Sequence, residues 1–251
     1  MRIKISDLKK FFDEKTAVDI LKFEINDGEM IGLVGNNGAG KTTLFRLMLD
    51  LIKADEGNII MEFQRKDGLY ENIDPSKSEA WKGVTGAYID EGFLIDFLTP
   101  EEYLHFVGKV NGLSEQETDD RISYFEHFMN GEILGQKKLI RNFSAGNKQK
   151  IGIVSALINS PQLLILDEPF NFLDPTSQNI LKRILVEYNA QSGATILISS
   201  HNLTHTIDIS NRIALLESGR IIKDLTNSSN SAEKELEDYF NLADDSDFNK
   251  E

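Results

Sequence analysis

Cysteine is absent from the 251 residues. That excludes disulfide scaffolds, zinc–thiolate sites and cysteine nucleophiles, and it is compatible with a reducing compartment. Positive charge is scarce. Lys and Arg number 27 against 41 Asp and Glu, a net of −14, which argues against a protein that holds nucleic acid by neutralising phosphates. Nucleic acid is therefore not expected as a partner. Long apolar runs are missing too: Ile151–Ile158 and Leu163–Leu166 fall far short of the ~20 residues that cross a bilayer. The N-terminal MRIKISDLKKFF lacks the apolar stretch of a signal peptide. Any service to a membrane is expected to pass through a partner.

What is present reads as a globular α/β protein. With 40% hydrophobic and 27% charged residues, the composition is that of a folded chain. At ~150 residues per domain the length allows one or two domains. A chain this long buries roughly 70–75% of its unfolded surface. Short apolar runs at Met30–Val34, Ala87–Ile89, Leu163–Leu166, Thr195–Ile198 and Ile213–Leu216 suit strands buried on both faces of a parallel sheet. Helical patterns separate them. Lys41–Leu51 places Leu44, Phe45, Met48 and Leu51 on one stripe. Asp174-Pro175 forms an N-cap and first helical residue ahead of the apolar face of Ile180, Leu181, Ile184, Leu185 and Tyr188.

Other stretches depart from this alternation. The first ~25 residues and Gly57–Phe63 look like exposed or antiparallel strands. From Thr99 to Ile158 the sequence reads helical without intervening strands, and Thr99-Pro100-Glu101-Glu102 and Ser114-Glu115-Gln116-Glu117 fit capping boxes. This predicts a helical subdomain, about residues 97–158, inserted into an α/β core. Residues 64–83, which hold the only tryptophan, Trp81, have no clear period and are expected to form a loop. One domain is expected over 1–224. Residues 225–251 are expected to form a tail with a short helix, Ala232–Phe240, and a solvated acidic end at Asp244, Asp245, Asp247 and Glu251.

The strongest motif is Gly35-Asn36-Asn37-Gly38-Ala39-Gly40-Lys41-Thr42-Thr43. It satisfies G-x-x-x-x-G-K-[ST] after a strand and before an amphipathic helix. Glycines let successive N–H groups curl around a phosphate, and the helix N-terminus adds positive potential. Lys41 would reach the β- and γ-phosphates and the Thr42 hydroxyl would ligate Mg²⁺. A second motif, Leu163–Leu166 followed by Asp167-Glu168-Pro169, ends an apolar strand in two carboxylates at the edge where α/β sheets bind ligands. Asp167 would hold Mg²⁺ through water and Glu168 would polarise the attacking water. Together the motifs read as a nucleotide-hydrolysis site.

A third segment narrows the class. Asn142-Phe143-Ser144-Ala145-Gly146-Asn147-Lys148-Gln149-Lys150 resembles the signature of the ATP-binding cassette (ABC) family, L-S-x-G-x-x-Q-[RK]. Ser144, Gly146, Gln149 and Lys150 match, and Phe143 replaces the leading Leu. The resemblance spans residues 3–224. It implies that Ser144, Ala145, Gly146 and Asn147 contact nucleotide and that Phe172-Leu173-Asp174 is a D-loop. It also implies that His201 is a switch histidine acting with Glu168, and that Phe12, or its neighbour Phe11, stacks on adenine. His105, His127 and His205 read as helix-surface or packing residues. Where the family usually has a Mg²⁺-ligating Gln at the entrance to the helical subdomain, this chain has Gly86-Ala87-Tyr88-Ile89-Asp90-Glu91-Gly92. Asp90 stands at that position, with Glu91 the neighbouring possibility. A carboxylate binds Mg²⁺ more strongly than an amide oxygen, but Asp is shorter than Gln, which favours a water-bridged contact.

The resemblance implies a P-loop NTPase fold, with a RecA-like mostly parallel sheet, an N-terminal antiparallel β subdomain and the helical insertion. It implies ATP and Mg²⁺ as cofactors and a head-to-tail pair of cassettes, most simply a homodimer. It also implies a separate membrane permease docked near Asp90–Thr99 and a cytoplasmic location at the inner face of the membrane. Acidic residues at the Gln position occur in relatives of bacteriocin and peptide-antibiotic exporters, which points to such a cargo. The alternative is a mechanical or regulatory ABC ATPase outside transport.

Overall fold

The structure, a computed structural model, describes residues 1–65, 67–228, 231–236 and 239. Its first half runs β1 (Arg2–Phe12), β2 (Lys15–Ile25), β3 (Met30–Val34), α1 (Lys41–Met48), β4 (Glu56–Gln64), β5 (Tyr70–Ile73), β6 (Thr85–Tyr88), α2 (Pro100–Val110), α3 (Glu115–Tyr124) and α4 (Glu126–Met129). The second half runs α5 (Ala145–Leu157), β7 (Leu163–Leu166), α6 (Pro175–Ser192), β8 (Thr195–Ser200), α7 (Leu203–Ile207), β9 (Arg212–Glu217) and β10 (Arg220–Thr226).

Two sheets organise these elements. A six-stranded sheet has the order β10-β9-β3-β8-β7-β6. Its pairs are parallel except for the β9–β10 hairpin. An antiparallel sheet has the order β2-β1-β4-β5. Strand alternation sends neighbouring side chains to opposite faces, and β7 divides accordingly. Leu164 and Leu166 pack with Leu104, Phe128, Ile151, Val154 and Leu181 of the helical side, whereas Leu163 and Ile165 pack with Ile3, Ile5, Leu44, Phe45 and Met48. The main sheet is thus buried on both faces, which explains why its strands read as continuous apolar runs. The parallel register Val34↔Ser200 and Leu166↔Ile198 brings the C-terminal ends of β3, β7 and β8 to one edge.

Both expected capping boxes form, with Thr99 and Glu102 closing the start of α2 and Ser114 and Glu117 that of α3. Residues 64–83 differ from the expected loop. They contain β5, which extends the antiparallel sheet by pairing Ile73 with Met61. They also contain a turn that buries Trp81, whose Nε1 donates to the Pro75 carbonyl at 3.4 Å. β5 is a short edge strand whose only buried residue is Ile73, so it left no alternation to read. Ordered packing also continues past Asp224. β10 continues to Thr226 opposite Arg212, and Ala232 and Leu236 pack on Val34, Ile207, Ile213 and Leu215. Two apolar residues four apart are one helical turn, enough to dock the segment on the sheet. Phe240 and the acidic end lie outside the described residues.

Candidate nucleotide site

The loop between β3 and α1 is held from behind. Gly219 N–H donates to the Ala39 carbonyl at 2.8 Å and Asp19 N–H to the Gly219 carbonyl at 2.8 Å, which fixes the loop against β2 and the β9–β10 turn. Gly40 takes φ +109°, and a Cβ there would lie 2.3 Å from the Ala17 carbonyl oxygen, so only glycine fits. Lys41 is buried, 6% exposed. Its ammonium donates to the Gly35 and Asn36 carbonyls at 2.6 and 3.3 Å and lies 3.5 Å from Glu168 Oε1. A cavity of ≈ 290 Å³ opens here, lined by Phe12, Lys15, Lys41, Thr42 and Glu168 among others. Phe12, rather than Phe11, borders this cavity.

β7 delivers the two carboxylates. Asp167 is buried. Its Oδ2 accepts from the Thr42 hydroxyl at 2.5 Å and its Oδ1 from the Ser199 hydroxyl. Burial pushes its pKa up, against the pull of the Ser199 and Thr42 hydrogen bonds. Glu168 follows in a left-handed conformation, φ +48°, which aims its side chain away from the strand direction. Its backbone is pinned at both ends: N–H donates to Ser199 Oγ at 2.8 Å, and its carbonyl accepts from Gln149 Nε2 at 3.0 Å. Its Oε2 lies 2.8 Å from His201 Nδ1. Lys41, Thr42, Asp167, Glu168 and His201, from the ends of β7 and β8 and the start of α1, therefore meet at one point.

Other residues named from the sequence lie elsewhere. Ser144 N-caps the 13-residue α5, its hydroxyl accepting from Asn147 N–H at 3.3 Å, and this helix start is turned to the surface. Asp174 N-caps α6, where hydrogen bonds from Ser177 hold its pKa down. Asp90 is near the carboxylates, since Asp167 N–H donates to the Tyr88 carbonyl at 2.9 Å, and Asp90, Ala145, Asp167 and Glu168 border a second cavity of ≈ 250 Å³. Its own carboxylate is occupied, with Oδ2 accepting from Arg46 at 3.1 Å and Oδ1 from Gly92 N–H at 2.8 Å. The Glu91 side chain lies outside the described residues. Of the other histidines, His105 pairs with Asp119 at 3.0 Å and His205 packs on Phe170 with the rings tilted by 39°.

Three contributors escaped the sequence reading. Ser199 holds the Asp167 carboxylate and the Glu168 backbone N–H. Tyr88 holds Gln149 through its hydroxyl at 3.1 Å. Arg46 engages Asp90. The available signals were the two serines that end the apolar run of β8 and the four-residue spacing of Arg46 from Thr42.

The chemistry of the donor set fits a nucleotide with a hard cation. A glycine-rich loop opens onto a helix N-terminus beside a buried ammonium, as phosphate requires. A hydroxyl and a carboxylate oxygen 2.5 Å apart are ligands of the type Mg²⁺ takes together with phosphates and water. Among the described residues, no group of three His, Cys, Asp or Glu could hold a metal without such help.

The fold and this site define a P-loop nucleotide hydrolase with an inserted helical subdomain. The chain belongs to the ABC transporter family, whose model matches residues 18–171. It is 33% identical over 227 residues to the bacitracin transport ATP-binding protein of Bacillus licheniformis, covering 89% of this chain and 69% of that protein. It is also 33% identical over 243 residues to a lantibiotic transport ATP-binding protein of Streptococcus pyogenes, covering 95% and 96%. A solved ATP-binding subunit of an ABC transporter superposes with a TM-score of 0.79 at 28% identity, covering 94% of this chain and 93% of that one. The protein is an ATP-binding and ATP-hydrolysing subunit of an ABC transporter. Such subunits form dimeric cassettes and work with membrane permease components. Among the described residues, no helix is long and apolar enough to cross a membrane.

Proposed function

We propose that this subunit energises a separate membrane permease that moves peptide antibiotics. The observation that carries the site assignment is the convergence of Lys41, Thr42, Asp167, Glu168 and His201. The backbone amides of Gly35–Thr43 cradle the phosphates, Lys41 bridges to the β- and γ-phosphates, and Phe12 offers its ring to adenine. Thr42 and Asp167 hold Mg²⁺, which when bound neutralises charge on the β/γ-phosphates. Glu168 accepts a proton from water, and His201 orients Glu168. Ser144, Ala145 and Asp174 are exposed in one copy, so together with Gly146 and Asn147 they serve the nucleotide of a second copy facing it head to tail. The permease docks on the segment Asp90–Thr99 from the cytoplasmic side. Support for the cargo is the bacitracin and lantibiotic transport for which the relatives are named.

Lys41→Ala tests the site, with an expected loss of at least tenfold in MgATP affinity by calorimetry and of phosphate release. Unchanged affinity and turnover overturn the assignment. For the cargo, deleting the gene is expected to lower the concentration of bacitracin or a lantibiotic that stops growth. Unchanged sensitivity to both removes that substrate class and leaves the ATPase site intact.

A further inference from the structure

Three carboxylates crowd the ends of β6 and β7: Asp90, Asp167 and Glu168, all bordering one cavity of ≈ 250 Å³. Two cations answer them. Lys41 lies 3.5 Å from Glu168, and Arg46 lies 3.1 Å from Asp90. Arg46 follows Thr42 by four residues on α1, so both side chains occupy the same helix face about 6 Å apart along the axis. Thr42 engages Asp167 on one turn, and Arg46 engages Asp90 on the next. A neutral amide at position 90 would need no counter-ion. The carboxylate does, because without one it would add negative charge beside Asp167 and Glu168. The Arg46–Asp90 pair is nevertheless half exposed, at 42% and 45%, and pairs of that exposure are weak and cheaply exchanged.

We propose that Arg46 is a positioning residue that parks the Asp90 carboxylate one helical turn from the Thr42–Asp167 oxygens and yields it to the divalent cation that arrives with nucleotide. Arg46 thereby sets the metal affinity of the site through Asp90. The inference rests on the reading of Thr42 and Asp167 as the Mg²⁺ site. In the metal-free state Arg46 supplies the charge that Asp90 needs. With metal present, Asp90 joins the coordination shell directly or through a water, and the guanidinium turns to solvent.

The test uses the full chain with a non-hydrolysable ATP analogue and Mn²⁺ as a spectroscopic probe, read by electron paramagnetic resonance. Arg46→Ala is expected to tighten Mn²⁺ binding several-fold and Asp90→Asn to weaken it several-fold. Arg46→Lys is expected to stay within about twofold of wild type. In the Asp90→Asn background, Arg46→Ala is expected to change nothing, since a residue acting through another loses its effect when that residue is gone. An Arg46→Ala effect that persists undiminished in that background overturns the proposal, as does an Asp90→Asn variant with wild-type affinity. Thr42→Ala separates the two layers. If it leaves nucleotide-dependent Mn²⁺ binding intact, the metal-site reading fails, whatever the cycle shows.

Discussion

Replacing Glu168 by Gln exchanges one carboxylate oxygen for an amide nitrogen and leaves the shape of the side chain unchanged. The backbone anchors survive, because the N–H contact to Ser199 and the carbonyl contact to Gln149 do not involve the side chain. Lys41 loses its 3.5 Å partner but keeps the Gly35 carbonyl at 2.6 Å. The ammonium therefore stays hydrogen-bonded and the loss of stability is about 1 kcal/mol. That corresponds to about 2–4 °C in Tm for a chain of this size. What disappears is the proton acceptor. General-base catalysis contributes roughly 10²–10⁴ in rate, or about 3–5 kcal/mol at the barrier. Removing a negative charge beside the terminal phosphate also leaves ATP affinity equal or higher. Phosphate release, calorimetric MgATP binding and ATP-dependent dimer formation by light scattering separate these effects. Turnover within tenfold of wild type in a folded variant would refute the assignment of Glu168 as the base.

Three further outcomes are expected. Gly152→Ala drives a Cβ to 2.1 Å from the Tyr88 ring. Overpacking of about 1–3 kcal/mol lowers Tm by about 2–12 °C, and calorimetric scanning checks it. Asp167→Asn abolishes Mg²⁺-dependent turnover yet is more stable than wild type at neutral pH. Because burial raises the Asp167 pKa above its unfolded value of 3.8, its stabilising contribution is present below that value and lost as pH rises through the folded pKa. The Tm advantage of the variant therefore grows with pH, and a flat difference across the acid range refutes this. Phe12→Leu weakens ATP binding about 5- to 100-fold through lost stacking and Phe12→Trp restores it, while Phe11→Leu leaves it unchanged; fluorescent-nucleotide titration distinguishes the two rings.

The glycine-rich loop between β3 and α1 was legible because its requirements are local. Glycines at set spacing, a lysine and a helix start act within nine consecutive residues, and the flanking strand is buried on both faces. The capping boxes of α2 and α3 are equally local and equally readable. Residues joined across the sheet were not. Ser199 reaches Asp167 from a strand 32 positions away, and no periodicity marks a serine for that task. Arg46 belongs to no motif of its own, since its partner enters from 44 positions downstream. β5 was invisible for the opposite reason: as a four-residue edge strand it is defined by its neighbour β4 and carries almost no pattern of its own. Trp81 is buried by the turn that surrounds it, which composition alone did not suggest.

The hold of Gln149 on the Glu168 carbonyl has a consequence for cooperativity. Ser144 and Gln149 belong to one rigid rod, separated by less than two turns of α5. In the proposed dimer, the cap over the neighbour's ATP and the anchor of a protomer's own water-activating carboxylate are then two ends of a single lever. Engagement of one nucleotide would tune the chemistry at the other without any movement of the phosphate loops. The isolated subunit is accordingly expected to hydrolyse ATP with a Hill coefficient above one, and Gln149→Ala to cut that lever while each pocket still fills.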